Sequence, residues 1–222
     1  VKSYSLSEKL SEISPGATPR LIAKFESAKV AWPPAEMALI AIKDEKIVEL
    51  QKKYAGGKRI ENAFQTNGVL LDDRWGEFLS KNAFLVGLSV DGPEKLHDHF
   101  RVDKGGQPTF NRVMRGLGFL KKHGVEFNTL TVVHRKNSRH PLEVYRFFKE
   151  QGVEFLQFTP IVERLPDARS SRLSLRLAGP AALDGEERRT EVTPWAVLPE
   201  DCGDFLIAVY EEWVRHDVGQ VF

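Results

Sequence analysis

The fold is decided by residues 59–93, which read RIENAFQTNGVLLDDRWGEFLSKNAFLVGLSVDGP. The first part of this stretch, residues 60–65, predicts a strand. A helix follows it, and Asp72 or Asp73 can supply the N-terminal cap of that helix. The nearly continuous apolar run Phe84–Leu88 then predicts a buried strand. The stretch is therefore a strand, helix, strand unit with polar side chains where the strands end.

The same order recurs further along the chain. Residues 140–165, which read HPLEVYRFFKEQGVEFLQFTPIVERL, predict a helix that Pro141 opens and a strand over residues 155–161. Between the two stretches, Thr109 is expected to cap a helix that precedes a strand over residues 125–133. Strands that alternate with helices favour a parallel sheet with right-handed crossovers, either a closed or partial barrel or an open doubly wound sheet. Three leucines within these strands are expected to be buried, namely Leu88, Leu130 and Leu156.

Polar side chains at the strand ends are the first candidates for a functional site. In a barrel of strands and helices, residues at the carboxyl ends of the strands face one common site. Five polar residues occupy such positions: Gln65, Asn67, Ser89, Asp91 and Gln157. A structural role is also open for Ser89 and Asp91, because they can simply end a strand and form the turn of an Asp-Gly-Pro sequence.

Two other groups suggest ligand binding less specifically. His97 and His99 are as close in sequence as metal ligands often are, but no second group with compatible spacing follows them. Hydrogen-bonding or surface roles are expected for both histidines. Lys104–Gly106 precedes a helix, yet it lacks the lysine and hydroxyl residue of a phosphate-binding loop and predicts a flexible loop.

Composition and charge narrow the possible functions. The chain has 222 residues, of which 41% are hydrophobic, so it can fill a core. Its net charge of +1 gives no reason to expect nucleic acid or an anionic membrane as partner. No apolar run approaches the roughly 20 residues of a membrane span, and the amino terminus lacks the apolar core of a signal peptide, so the expected location is the cytoplasm. The single cysteine, Cys202, excludes a disulfide framework and an all-cysteine metal site built by this chain alone, and no catalytic role is expected for it.

Four segments are expected along the chain. Residues 1–28 form an eroded amino-terminal segment without a clean period, and residues 29–164 form the core of strands and helices. Residues 165–198 are polar and rich in proline, and they predict an exposed connecting loop. Residues 199–222 predict a last helix followed by the start of a final barrel strand.

Six short motifs follow one another in order: QTNG at 65–68, LVGLSVDGP at 85–93, HD at 97–98, VEFNTL at 125–130, HPLEVYRF at 140–147 and EFLQFTPIVE at 154–163. In this order the chain resembles the anaerobic sulfatase-maturating enzymes, which are radical S-adenosylmethionine proteins. The resemblance runs from about Lys29 to Phe222. It implies an α/β fold, a partial (β/α)6 barrel of the radical S-adenosylmethionine type that lacks its first βα unit.

The resemblance also implies a reaction, cofactors and partners. The reaction is oxidation of a cysteine or serine in a sulfatase polypeptide to Cα-formylglycine, and the resemblance leaves open which of the two is the target. The implied cofactors are S-adenosylmethionine and a 4Fe-4S cluster. The implied partners are the sulfatase polypeptide and an electron donor such as flavodoxin or ferredoxin.

Seven residues carry over from the family as cofactor-binding positions. Ser89 and Arg101 resemble the pair that holds the methionyl carboxylate of S-adenosylmethionine, for which the planar guanidinium is well suited. Glu36 is what remains of a Gly-Gly-Glu-Pro turn that meets the methionyl amine. The other four are Gln65, Asn67 and Asp91, which line the same cavity, and Val162, which resembles the residue beside the adenine.

The chain also departs from the family. The CxxxCxxC motif that holds the cluster would precede Val1, so the cluster ligands are missing and this chain alone is expected to be inactive, with no catalytic or metal-binding residue of its own. Two alternatives stay open. One is a non-catalytic remnant or a module of the same fold that binds a peptide or partner. The other is an unrelated barrel enzyme without iron.

Overall fold

The computed structural model describes residues 46–58, 60–166, 171–172, 177 and 191–222. All of them belong to one unit, Asp44–Phe222. Glu36 and the predicted segment 1–28 lie outside the described residues.

The core is a parallel sheet of four strands in the order β1-β2-β3-β4. The strands are β1 (Asn62–Thr66), β2 (Phe84–Ser89), β3 (Phe127–Val133) and β4 (Leu156–Pro160). The helices are α1 (Lys46–Tyr54), α2 (Asp73–Lys81), α3 (Glu94–His97), α4 (Phe110–Lys122), α5 (Pro141–Glu150) and α6 (Pro199–His216), with a short 3-10 turn at Asn137–Arg139. The predicted α/β class with a parallel sheet is confirmed.

One face of the sheet is buried against the helices. Val86 and Leu88 of β2 are fully buried, in a core that also contains Leu79 of α2 and Leu120 of α4. Burial of this apolar surface is the main stabilising contribution to the fold.

The other face of the sheet carries the polar strand residues. Gln65 pairs in register with Gly87, and Leu130 pairs with both Ser89 and Gln157. Because successive side chains of a strand alternate between faces, these residues lie on the side that Val86 and Leu88 do not occupy. Gln65 and Gln157 are exposed there and Leu130 is half-buried. Leu156 of β4 is also half-buried, so the prediction of burial is confirmed for Leu88 and wrong for Leu130 and Leu156.

The helix caps agree with the sequence in one case and differ in another. Asp72 caps α2 as expected, since its Oδ1 accepts from the Trp75 amide at 2.9 Å. Thr109 does not cap α4 with its side chain. Oδ1 of Asp98 takes that role by accepting from the amides of Thr109 and Phe110, each at 2.9 Å.

The described end of the connection between β4 and α6 is partly packed against the backbone that follows β4. The Thr193 amide donates to the Glu163 carbonyl at 2.8 Å, and the Val197 amide donates to the Ile161 carbonyl at 3.0 Å. Thr193 and Ala196 are fully buried. The exposed loop predicted from the sequence is therefore wrong for these residues, because they pair with the backbone that follows β4.

The carboxyl-terminal residues join α5 and β4. The Tyr145 hydroxyl donates to Oδ2 of Asp217 at 2.8 Å, and Nζ of Lys149 lies 2.7 Å from Oδ1 of the same carboxylate. The Phe222 amide donates to the Glu154 carbonyl at 2.7 Å, so the last residue lies beside β4. In the described ranges, no helix combines the length and apolar character that crossing a membrane requires.

Candidate functional site

A cavity of about 590 Å³ opens at the carboxyl ends of β2, β3 and β4. Parallel strands present the residues that follow them at one common edge, where ligands bind in folds of this class. The lining residues are Asp91, Phe100, Arg101, Val132, His134, Ile161, Glu163 and Trp195.

A charged pair, Asp91 and Arg101, forms one wall. Nε of Arg101 donates to Oδ2 of Asp91 at 2.6 Å, and Nη2 donates to Oδ1 at 3.0 Å. Oδ1 also accepts from the Val132 amide at 2.9 Å. Asp91 is only 3% exposed, and a buried carboxylate of this kind is stable because it is both paired and hydrogen-bonded. The pair fixes the plane of the Arg101 guanidinium at the cavity wall.

His97 is hydrogen-bonded to the backbone of Asp91, one member of this pair. Its ring is fully buried, Nδ1 accepts from the Asp91 amide at 3.3 Å, and Nε2 lies 3.1 Å from Oγ1 of Thr109. Burial lowers the pKa of His97 to about 4, although the carboxylates of Asp91 and Asp98 act in the opposite direction. The imidazole is therefore neutral at pH 7. His97 has the hydrogen-bonding role expected from the sequence.

His134 is a second buried histidine, which the sequence analysis did not identify. Its Nδ1 accepts from the amides of Lys136 and Asn137, both at 3.2 Å, so the proton of the neutral ring is on Nε2. That Nε2 is buried without a hydrogen-bond partner among the described residues. Burial lowers the pKa of His134 to about 4. Its position just after β3, like that of Asp91 just after β2, is the signal that would have pointed to it.

Two aromatic residues from distant parts of the chain, Phe100 and Trp195, border the cavity. The Phe100 ring lies edge-on to the His134 ring, with 4.6 Å between the centroids. Nε1 of Trp195 donates to Oε2 of Glu163 at 2.5 Å. Phe100 is 42% exposed and Trp195 is 37% exposed. Trp195 was not predicted as a site residue, because the proline-rich segment around it predicts an exposed loop.

The structure brings only part of the predicted set into the cavity. Asp91 and Arg101 are in its wall, and Ser89 is half-buried at the end of β2. Asn67 is exposed and accepts from the Val69 amide at 3.2 Å in a local turn. Val162 is 63% exposed between two lining residues, Ile161 and Glu163. Ser89 was expected to pair with Arg101 around a ligand, whereas Arg101 pairs with Asp91 in this structure.

The described residues do not form a metal site. Cys202 is half-buried on α6, and it is the only cysteine of the sequence. Across the described ranges, no group of three or more His, Cys, Asp or Glu side chains is placed to hold a metal ion.

Comparison with known proteins gives a consistent result. The family model of the Radical SAM superfamily matches residues 31–148. The serine-type anaerobic sulfatase-maturating enzyme of Bacteroides thetaiotaomicron is 46% identical over 178 residues, which are 80% of this chain and 41% of that enzyme. The cysteine-type anaerobic sulfatase-maturating enzyme of Clostridium perfringens is 47% identical over 122 residues, which are 54% of this chain and 33% of that enzyme.

A solved structure agrees with these relatives. Native anSMEcpe with bound AdoMet and Cp18Cys peptide superimposes with a TM-score of 0.65 at 36% identity, over 79% of this chain and 43% of that chain. These matches confirm the resemblance stated from the sequence motifs. The chain spans less than half the length of the relatives it matches.

Proposed function

The chain belongs to the radical SAM superfamily, and on this basis we propose that it is part of an anaerobic sulfatase-maturating enzyme, which oxidises a cysteine or serine of a sulfatase polypeptide to Cα-formylglycine. Bound S-adenosylmethionine supplies the hydrogen-abstracting group of such a reaction. The task of the described residues is to bind this cofactor and to orient it. The observation that carries the proposal is the buried Asp91, which orients the Arg101 guanidinium at the cavity wall.

The described residues fit S-adenosylmethionine in size and in charge. A cavity of about 590 Å³ lies within the range of roughly 300–1,000 Å³ that small-molecule sites occupy. Arg101 has five N–H donors, of which Asp91 takes two, and the guanidinium geometry suits a methionyl carboxylate. The Nε2–H of His134, which has no partner among the described residues, favours a ligand with an acceptor nearby.

We assign the binding roles as follows. Ser89 and Arg101 hold the methionyl carboxylate, and Asp91 acts as the counter-ion that keeps Arg101 in place. Glu36 meets the methionyl amine. Gln65 and Asn67, at the carboxyl end of β1, are proposed to contribute polar groups to the cofactor site although neither lines the described cavity, and Val162 is proposed to lie beside the adenine.

The cluster is a different case. A 4Fe-4S cluster takes cysteine thiolates as ligands, and the 222 residues contain one cysteine, so these residues do not fit a cluster. We propose that the 222-residue chain by itself is inactive. In the complete reaction an electron donor such as flavodoxin or ferredoxin acts with the sulfatase substrate.

Cofactor binding is the direct test. Titration of the ¹⁵N-labelled chain with S-adenosylmethionine should shift the Arg101 Nε–H and the backbone amides of Asp91 and Val132, with millimolar affinity. Arg101→Ala should weaken the binding by tenfold or more. Arg146→Ala is the matched control, because Arg146 pairs with Glu212 outside the cavity at 3.1 Å. Equal affinity of the Arg101→Ala variant and the parent chain would remove Arg101 from the site.

A peptide-binding module of the same fold is the second candidate. Phe100 and Trp195 are partly exposed at the cavity, and aromatic side chains of this kind often anchor a bound peptide. The two candidates differ in their first ligand. Under the enzyme proposal S-adenosylmethionine shifts the Arg101 signal without any peptide, whereas a pure peptide module responds only to a sulfatase-derived peptide.

A further inference from the structure

Asp91 and Arg101 are connected twice. The first connection is the bidentate ion pair between their side chains, at 2.6 and 3.0 Å. The second connection runs between their backbones through the side chains of His97 and Thr109. Together the two routes close a ring of hydrogen bonds behind the cavity wall.

The direction of each bond in the second route is fixed. The Asp91 amide can only donate, so Nδ1 of His97 accepts and the proton of the neutral ring is on Nε2. Nε2–H then donates to Oγ1 of Thr109 at 3.1 Å. The Thr109 hydroxyl donates to the Arg101 carbonyl at 2.6 Å. Every donor along the route therefore has an acceptor.

The Thr109 hydroxyl is not occupied in capping the helix that follows it. Asp98 accepts from the Thr109 amide and from the amide of Phe110, the first residue of α4. Thr109 is only 8% exposed, and a buried hydroxyl is retained at low cost only when it is hydrogen-bonded. Its two partners are His97 and the Arg101 carbonyl.

We propose that His97 and Thr109 are positioning residues, which hold the Arg101 backbone and thereby aim its guanidinium at the ligand. A guanidinium on a flexible side chain must be held in one orientation if it is to bind a carboxylate well. The ion pair with Asp91 holds the guanidinium of Arg101. The hydrogen bonds through His97 and Thr109 hold the Arg101 backbone. The inference rests on the proposed function only for the identity of the ligand.

The test replaces Thr109, because replacing the fully buried His97 can unfold the chain. Thr109→Val keeps the shape of the side chain and removes the hydroxyl, while Thr109→Ser keeps the hydroxyl. In ¹⁵N-labelled protein, the Arg101 Nε–H of Thr109→Val should exchange with water at least tenfold faster than in the parent chain. In Thr109→Ser the rate should stay within about twofold. The Nε–H of Arg146, which donates to Glu212 across α5 and α6, is the internal reference and should not change.

A second readout is the affinity for S-adenosylmethionine, which should fall at least fivefold in Thr109→Val and recover in Thr109→Ser. Unchanged exchange and affinity in Thr109→Val would overturn the positioning role even if the parent chain binds the cofactor. A proton on Nδ1 of His97, seen in its ¹⁵N shifts, would also overturn it. Faster Arg101 exchange in a chain whose parent does not bind S-adenosylmethionine would support the positioning role and count against the proposed function.

Discussion

Asp91 joins β2 to β3 through one oxygen, since its Oδ1 accepts from the Val132 amide at 2.9 Å while it also accepts from Arg101. Asp91→Ala leaves the half-buried Val132 amide and the half-buried Arg101 guanidinium without their acceptor. We expect a loss of about 3 kcal/mol or more in the free energy of unfolding, measured by urea denaturation.

The matched control is Glu211→Ala, which breaks the exposed pair between Glu211 and Arg215 on α6. Pairs of that kind contribute roughly 0–1 kcal/mol. If the two variants lost similar amounts of unfolding free energy, the hydrogen bonds of Asp91 would not be a major source of stability.

Leu88 and Leu130 should respond differently to truncation although they lie on neighbouring strands. Leu88 is fully buried on the helix side of the sheet, so Leu88→Ala should cost about 2–5 kcal/mol through lost burial and a cavity. Leu130 is half-buried on the other face, so Leu130→Ala should cost less than half as much. Thermal and urea unfolding of the two variants would measure the loss of unfolding free energy. Equal losses would mean that both faces of the sheet are buried to the same extent.

The buried histidines make the folded chain sensitive to mild acid. The pKa of His97 and that of His134 are both lowered to about 4 by burial, whereas a histidine in the unfolded chain titrates near 6.5. As the pH falls below 6.5, the unfolded state therefore binds more protons than the folded state does. The stability that comes from keeping both rings neutral in the folded state is lost progressively as the pH falls towards 4. We expect the free energy of unfolding to drop by more than about 1 kcal/mol between pH 6.5 and pH 5. This pH interval lies above the range in which most carboxylates titrate.

Two variants test the origin of this slope. His134→Gln removes one of the titrating groups and should make the pH dependence of urea unfolding shallower. Gln157→Asn changes an exposed residue that carries no titrating group and should leave the slope as it is. A slope that is unaffected by His134→Gln would contradict the burial of a neutral ring at that position.

The cysteine content gives a prediction about the cluster. Anaerobic reconstitution of the 222-residue chain with iron and sulfide should yield no stoichiometric 4Fe-4S cluster and no 5′-deoxyadenosine from S-adenosylmethionine, because one cysteine cannot supply three thiolates. Iron content and visible absorbance measure the outcome. Cys202→Ser is the control, and it should bind the same small amount of iron as the parent chain. A stable cluster in the parent chain that Cys202→Ser abolishes would show that Cys202 is a ligand.

The sheet could be predicted from sequence because its signals are local. The run Phe84–Leu88 is apolar throughout, and Asp72 stands just where a helix cap is needed, so β2 and α2 follow from neighbouring residues. The observed strand limits differ from the predicted ones by no more than two residues. For example, β3 begins at Phe127, whereas the sequence predicts a start at residue 125. Such shifts are common at element ends.

The missing parts of the site depend on contacts between distant residues. Trp195 reaches the cavity because residues 191–198 pair with the backbone after β4, and a proline-rich segment gives no periodic signal for such pairing. Serine and threonine prefer the N-cap position, so local preference predicts that the Thr109 hydroxyl caps the helix. The carboxylate of Asp98, eleven residues earlier, took the cap instead, and this exchange cannot be read from local preference.

The strand order has a consequence for how the chain assembles. Each strand of the described sheet pairs with the strand that precedes or follows it in sequence, and β4 also pairs with the distant Phe222. Pairing between sequence neighbours keeps the contact order lower than a crossed strand order would, but parallel strands still need a long connection and form more slowly than local structure does. Asp91 receives the Val132 amide as soon as β3 joins the sheet. Residues 191–198, which border the cavity through Trp195, follow all four strands of the described sheet in sequence, so we expect the cavity to close only after the sheet has formed.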